Sequence, residues 1–375
     1  MHINQHLSFH YLFHKELSEL YIAKALRFLA LSMVGIFIPV FLYFEIGLTL
    51  NQVILYYIIQ TITFFFSSFV AAFFMKSIGA KHLILSSVPF LIIMFIFLHY
   101  MELLTIFFWL PAIMAGINYG LFWVPFHTEF AKYSDKKHRG REFAFMQALA
   151  IFANILGPVI GGIIITYLDY TTLFVIVSIL LLGSALPLFL TPELYERYRF
   201  SYKALLNPRT VKYGLSFFAE GIKDMTSALV WPLFIFTILG SYVSFGAVST
   251  LSSFAMAAVT LYIGKLTDKM RKMRLIAVGS GLTSIVWFVK TLVRFPLEIF
   301  LIDFFNGISN ALFHIPYMAK FYDHSSKTDI LGFVVFRESM LRLGALAVLM
   351  LLLLTQEMIA TFVLTGLTSW VHIIL

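Results

Sequence analysis

The chain has 375 residues, of which 60% are hydrophobic and 12% charged, with no cysteine and a formal net charge of +8. Soluble domains carry roughly 25% charged residues, so this composition excludes an ordinary water-soluble fold. The lack of cysteine excludes disulfides and thiolate metal sites. The positive charge would suit a nucleic-acid binder, but its distribution along the chain gives it another meaning.

The N-terminal arm, residues 1–20, places His2, His6, His10 and His14 at every fourth position. Histidines so spaced on a helix can ligate a metal. Phe9, Leu12, Phe13 and Leu17 make the arm amphipathic, however, and a helix lying at the cytoplasmic membrane surface is the expected form. Apolar runs of about 20 residues, enough to cross a bilayer, begin directly after it. They fall at 22–44, 50–75, 81–100, 103–128, 142–167 and 171–191. The first lacks a small-residue cleavage site and reads as a retained span. A polar linker at 192–212 carries Tyr195, Tyr198, Phe200 and Tyr202 among basic residues and is also expected at the interface. Six more runs follow at 213–239, 243–267, 273–293, 296–320, 329–354 and 357–375.

The two sets of six are related. Gly116-Ile-Asn-Tyr-Gly-Leu-Phe-Trp-Val-Pro-Phe126 recurs as Gly307-Ile-Ser-Asn-Ala-Leu-Phe-His-Ile-Pro-Tyr317, with five of eleven positions identical. Self-similarity at this distance marks a duplicated unit. The expected fold is an all-α integral membrane protein with twelve transmembrane helices in two pseudo-symmetric six-helix halves, 21–191 and 213–375.

Charge supports that count. With a cytoplasmic N-terminus, every Lys and Arg except Lys223, Lys290, Arg294, Arg337 and Arg342 falls in the arm or just after it (Lys24 and Arg27), in the central linker, or in or at the edge of a loop after an even-numbered span. That alternation follows the positive-inside rule and places both termini in the cytoplasm. The basic charge is topological, and nucleic acid is not an expected partner. The lipid bilayer is, in what reads as a bacterial or archaeal plasma membrane.

The two halves, the cytoplasmic linker and the basic loops resemble the major facilitator superfamily. Local motifs add to the resemblance. Gly264-Lys-Leu-Thr-Asp268-Lys-Met-Arg271 is similar to the family's Gly-x-Leu-x-Asp-basic loop, although Arg271 replaces its second glycine. The matching loop of the first half, Met75 to Lys81, has Lys76 where the Asp would fall. Arg139-Gly-Arg141 resembles the basic step before span five. Gly157-Pro158-Val-Ile-Gly161-Gly162 resembles a motif of the family's antiporters, with Ala153 in place of a further glycine and no copy in span eleven. Small residues around a proline also serve plain helix packing. The resemblance implies alternating access. Asp268 would meet the start of span five, with Arg139 or Arg141 closing an inner gate and Gly157 and Pro158 helping to shape it.

Charges inside spans are functional candidates, because lipid makes them costly. Span seven carries Glu220, Lys223 and Asp224. Asp224 lies about 16 Å along that span. Lys223 is three residues from Glu220 and can pair with it, which leaves Asp224 without a close local partner. Burial of such a carboxylate favours its protonated form, as proton coupling requires. A permanent ion pair of Asp224 with Arg337 or Arg342 is the competing reading. In span eleven, Glu338 and Arg342 are four apart and can neutralise one another, leaving Arg337 for Asp224 or an anionic substrate. Span ten offers Asp303 near the outer end and His314 near the inner end, the latter a packing residue or a proton relay. In spans four and five, Asn118, Trp123, Gln147 and Asn154 are suited to orient a substrate in a mostly apolar pocket. Tyr119 and Asn310 occupy equivalent repeat positions, which marks them as facing cavity walls.

These residues imply a secondary active transporter of a small organic solute, driven by protons through Asp224 or Glu220 and exporting an amphipathic compound. A lipid flippase or scramblase on the same scaffold is the alternative. No phosphate-binding Gly-x-x-x-x-Gly-Lys-Ser/Thr loop, metal-binding helix motif or nucleophile elbow is present, so neither an enzyme nor a cofactor is expected.

Overall fold

The computed structural model of the chain describes residues 15–103, 107–189 and 208–375. The histidine stripe of the arm and the aromatic part of the linker lie outside these residues. The first half comprises α1 (Lys15–Val34, continued by short irregular turns to Glu45), α2 (Leu50–Ile78), α3 (Ala80–His99), α4 (Trp109–Tyr133), α5 (Arg139–Tyr167) and α6 (Tyr170–Ala185). The second comprises α7 (Pro208–Met225, continued to Leu239), α8 (Tyr242–Lys269), α9 (Lys272–Lys290), α10 (Pro296–Ser325), α11 (Ile330–Thr355) and α12 (Met358–Thr368, ending in the tight turn Ser369–Ile374). Among the described residues, ten helices are long and apolar enough to cross a membrane. Helix α4, whose apolar run is interrupted by Asn118, Tyr119 and prolines, and the short α12 fall outside that set.

Local chemistry sets the tight connections. Asp169 caps α6 by accepting from the Thr172 amide at 2.6 Å. Gly240, in the left-handed region at φ 59°, ends α7, and Ser241 then caps α8. Two boundaries differ from expectation. Helix α1 starts at Lys15 instead of residue 22, and α4 runs Trp109–Tyr133 instead of 103–128. The first difference has consequences for charge. Lys24 and Arg27, expected in a cytoplasmic arm, are 4% and 3% exposed inside the bundle.

The duplicated sequence performs the same packing in each half. A Cβ on Gly116 would lie 2.6 Å from the Gln60 carbonyl oxygen of α2, and one on Gly307 would lie 2.1 Å from that of Ser252 on α8. The repeated glycines thus let α4 sit on α2 and α10 on α8 at backbone contact. A second pair was not visible as a motif. Gly161 of α5 meets the Met33 carbonyl of α1, and Gly344 of α11 meets the Phe218 carbonyl of α7, each at 1.9 Å for an added Cβ. The first helix of each half is also divided in the same way, with wide turns at Phe41–Glu45 beside Pro39 and at Thr226–Val230 beside Pro232. Pro232 lacks the amide that would reach back to the Ala228 carbonyl within the second turn, whereas Pro39 precedes the first.

Two buried apolar clusters, one toward each end of the bundle, leave a polar layer between them. Along the contact between halves, Gly162 meets the Tyr242 carbonyl and Gly246 the Pro158 carbonyl, so α5 and α8 cross at backbone distance. These contacts predict the cost of bulk. Gly307→Leu should destabilise the protein by about 1–3 kcal/mol through overpacking. Gly183→Leu, with nothing within 4 Å of its added Cβ, should leave the melting temperature of detergent-solubilised protein unchanged.

Candidate functional site

Between the halves lies a cavity of about 670 Å³, walled mainly by α1, α2, α4 and α5 on one side and α7, α8, α10 and α11 on the other. Tyr119, Trp123, Gln147, Asn154, Asn310 and His314 line it, together with Glu220, Asp224, Arg337, Glu338 and Arg342. Tyr119 and Asn310 come from opposite halves. A volume of this size lies within the usual range for small-molecule sites, about 300–1,000 Å³.

Two residues expected in the cavity are elsewhere. Asn118 is fully buried, accepting from Arg27 Nη2 at 2.7 Å and donating to the Ser87 carbonyl at 2.6 Å. It adjoins Tyr119 on a helix, where consecutive side chains diverge, so only one of the two can face the cavity. Asp303 is buried within the second half. It accepts from Trp231 Nε1 at 3.0 Å and pairs with Lys290 Nζ at 3.2 Å, whose ammonium also lies over the Trp231 ring.

The charged pairs also differ from the helix-spacing expectation. Lys223 Nζ meets Glu220 Oε1 at 2.9 Å, as three-residue spacing allows. Arg337, however, turns to its neighbour Glu338 and is not left free. Arg342 does not pair with Glu338; its guanidinium lies 4.3 Å from the Phe64 ring centre, with no ion pair among the described residues. The reason is that His127 and Met318 hold Arg337 in place, with His127 Nε2 at 3.3 Å from Arg337 Nη1 and 3.9 Å from Glu338 Oε1. Asp224 meets neither arginine within 4 Å. It is open to the cavity, while Glu220 is only 2% exposed. Glu220, not Asp224, is therefore the desolvated carboxylate of α7.

Two cavity residues escaped assignment from sequence. Lys24, counted as a loop cation, contacts Gln147 at 3.3 Å and lies over the Phe28 and Phe126 rings at 5.1 and 5.2 Å. The available signal was the apolar run Ile22, Ala23, Ala25, Leu26, which continues α1 around it. His127 bridges the halves, its Nδ1 lying 2.6 Å from the Tyr322 hydroxyl of α10.

At the end bearing the basic loops, further contacts join the halves. Asp268, at the end of α8, accepts from the Gly140 amide at 2.9 Å, the Arg141 amide at 3.3 Å and Arg141 Nε at 2.9 Å. Free amides and positive dipole at the start of α5 favour that carboxylate. A Cβ on Gly140 would lie 2.5 Å from Asp268 Oδ1, so glycine is what admits it. Arg139 takes a different partner. It is 1% exposed, donates to Ser134 Oγ at 2.8 Å and pairs with Asp323 of α10 at 3.0 Å. Gly157 and Pro158 seat α5 between α1 and α8 by close packing, Gly157 against Ser32 and Pro158 against Gly246.

The sequence profile described as Major Facilitator Superfamily matches residues 20–207, half of the chain. The protein belongs to this superfamily. It is therefore a multi-pass integral membrane protein of a transporter family and not of an enzyme family. It is 22% identical over 260 residues to the uncharacterized protein YqgE of Bacillus subtilis, covering 64% of this chain and 59% of that protein. It is 25% identical over 216 residues to a multi-drug resistance efflux pump PmrA homolog of Lactococcus lactis, covering 53% of each. The matches thus span little more than half the length of these relatives. Among solved structures it is similar to FucP in the outward conformation, with TM-score 0.70 and 13% identity, over 96% of this chain and 98% of that one. It is also similar to the proton:xylose symporter XylE bound to 6-bromo-6-deoxy-D-glucose, with TM-score 0.74 and 12% identity, over 97% and 94%. At these identities the likeness carries the fold.

The Lys290–Asp303 pair gives a stability prediction. Lys290→Met should cost about 3–5 kcal/mol by leaving a buried carboxylate without its cation. Lys290→Met combined with Asp303→Leu should recover most of that loss, read as thermal unfolding in detergent.

Proposed function

We propose that this protein is a secondary active transporter that moves a small organic solute by alternating access, coupled to protons. The observation that carries the reading is a charged cavity built by both halves and sealed at the basic-loop end by ties between them. Those ties are Asp268 with the start of α5, Arg139 with Asp323, and His127 with Tyr322 and Arg337. At the other end the polar ties between the halves are exposed, Tyr242 with Glu45 and Gln356 with Asn51, beside apolar ring contacts such as Phe37 with Phe245. Buried ties on one side and solvated ones on the other favour a mechanism in which the sealed end opens only when the cavity contents change.

In this mechanism Asp224 is the accessible proton acceptor, open to the cavity and without an ion pair among the described residues. Glu220 with Lys223, and Arg337 with Glu338, hold the remaining cavity charge in pairs. A proton on Glu338 would release Arg337 and weaken the His127 tie, linking the cavity to the gate. The similarity in fold to FucP, a fucose:proton symporter, and to XylE, a proton:xylose symporter, supports coupling to protons. The relative named as an efflux pump supports export.

Sealed proteoliposomes carrying a pH dye test the proposal against pooled amphipathic cations, sugars, amino acids and organic anions. Solute-evoked proton flux is expected, with its sign giving the direction of transport, and it should be lost in Asp224→Asn. Solute flux without proton movement would remove the coupling. No flux from any pool would overturn solute transport and favour lipid flipping.

The gate has its own test, helped by the absence of native cysteine. A single Asn310→Cys should react slowly with an impermeant maleimide added at the basic-loop side. Adding Asp268→Asn weakens charge-assisted hydrogen bonds of about 1.5–3 kcal/mol each and should raise that rate at least about tenfold. An unchanged rate would remove Asp268 from the gate.

A further inference from the structure

We propose that the solute is an organic anion, with a carboxylate, phosphate or sulfonate on an aromatic body, held between Lys24 of the first half and Arg342 of the second. The inference rests on the transporter reading and adds the chemical class of what is carried.

The argument begins with the charges that line the cavity: Lys24, Glu220, Lys223, Asp224, Arg337, Glu338 and Arg342. Lys223 with Glu220 and Arg337 with Glu338 neutralise one another. Lys24, Arg342 and Asp224 remain, none with an ion pair among the described residues. The cavity therefore holds one surplus positive charge when Asp224 is ionised and two when it is protonated. His127 and His314 also line it and can only add to that surplus.

Hydrogen-bonding capacity points the same way. A lysine ammonium has three donors and an arginine guanidinium five, with no acceptor. Lys24 is 4% exposed and has one hydrogen-bond acceptor, Gln147, at 3.3 Å. Arg342 has no side-chain acceptor among the described residues, and its Nε is buried without one. Lys24 is buried and Arg342 half-buried; a cation so placed without acceptors is costly, and an anion entering the cavity would lower that cost. Both cations rest on aromatic rings, Arg342 on Phe64 and Lys24 on Phe28 and Phe126. Trp123 and Tyr119 complete an apolar wall between polar ends. A sugar could accept hydrogen bonds from both cations but would leave their charge uncompensated, and an organic cation would add a third positive charge beside them.

The test uses full-length protein in detergent and three matched probe sets with phenyl, indolyl or naphthyl bodies. Each set contains the acetic acid, its amide and the corresponding ethylamine, titrated by calorimetry. At least one acid should bind about tenfold or more tightly than its amide. Lys24→Gln and Arg342→Gln should each erase that preference, whereas Lys24→Arg should keep it and Asp224→Asn should bind the acid at least as well. Without ligand, Lys24→Gln and Arg342→Gln should melt at or above the parent temperature, because each removes an unpaired charge from the cavity wall. A purely structural cation would instead lower it. Acids that bind no better than amides across all three bodies would overturn the inference. So would a preference that survives both Gln variants, or amines binding best in a manner abolished by Asp224→Asn. Binding in detergent needs no transport. Acid preference without flux in vesicles would overturn the transporter reading alone, and flux of neutral or cationic solutes without acid binding would overturn this inference alone.

Discussion

Hydrocarbon offers no hydrogen bonds, so every charge that enters this bundle must be answered from within it or from a cavity. That constraint organises the protein. Arg27 is answered by Asn118 and the Phe122 ring, Asp303 by Lys290 and Trp231, and Glu220 by Lys223. The first two of these groups lie where two or three helices converge and so fix the rotation of the helices that supply them, while Glu220 and Lys223 pair along one helix. Lys24, Asp224 and Arg342, which have no ion pair among the described residues, face the space between the halves.

The halves share a plan but divide the chemistry unequally. The repeated glycines bring α4 onto α2 and α10 onto α8, and Gly161 and Gly344 do the same for α5 on α1 and α11 on α7. On this common frame the first half contributes Lys24 and His127 to the cavity, and the second contributes its three carboxylates along with three cations. The duplication conserves backbone approach, which is set by small residues, and leaves side chains free to specialise. The gate shows the same division. Asp268 comes from the second half, and the amides and Arg141 that receive it come from the first.

Much of the fold was legible because lipid imposes a simple rule on sequence. Apolar run length, basic loops and an eleven-residue repeat led to twelve helices in two halves before any coordinate was known. The location of Asp268 beside α5 followed from the resemblance of its loop to the family's Gly-x-Leu-x-Asp motif, and the free amides at the helix start supply the attraction. Rotation and depth were less accessible. Asn118 and Tyr119 are adjacent in sequence, and the chain alone does not say which of them turns inward. Lys24 looked like a loop residue because a cation ordinarily ends a span; here three aromatic rings within α1, α4 and α5 extend the helix past it. The pairing of Arg337 with Glu338 ran against helix spacing because His127, more than two hundred residues away in sequence, holds both.

The divided helices α1 and α7 bear on how such a bundle moves. Wide turns break the regular ladder at Phe41–Glu45 and Thr226–Val230, and the segments beyond them touch across the halves through Phe44 and Phe236, 5.0 Å between ring centres. A helix bends most cheaply where its ladder is already irregular. Each half thus contains a flexure point of its own, and around it the halves meet through a small set of ring contacts, including Phe44 with Phe236 and Phe37 with Phe245, and a few solvated side chains. Access on that side can then be governed by the bending of two short rods while the tightly packed helices behind them stay still. The thick basic end, with its buried ties, has no such compliance and must move as a block.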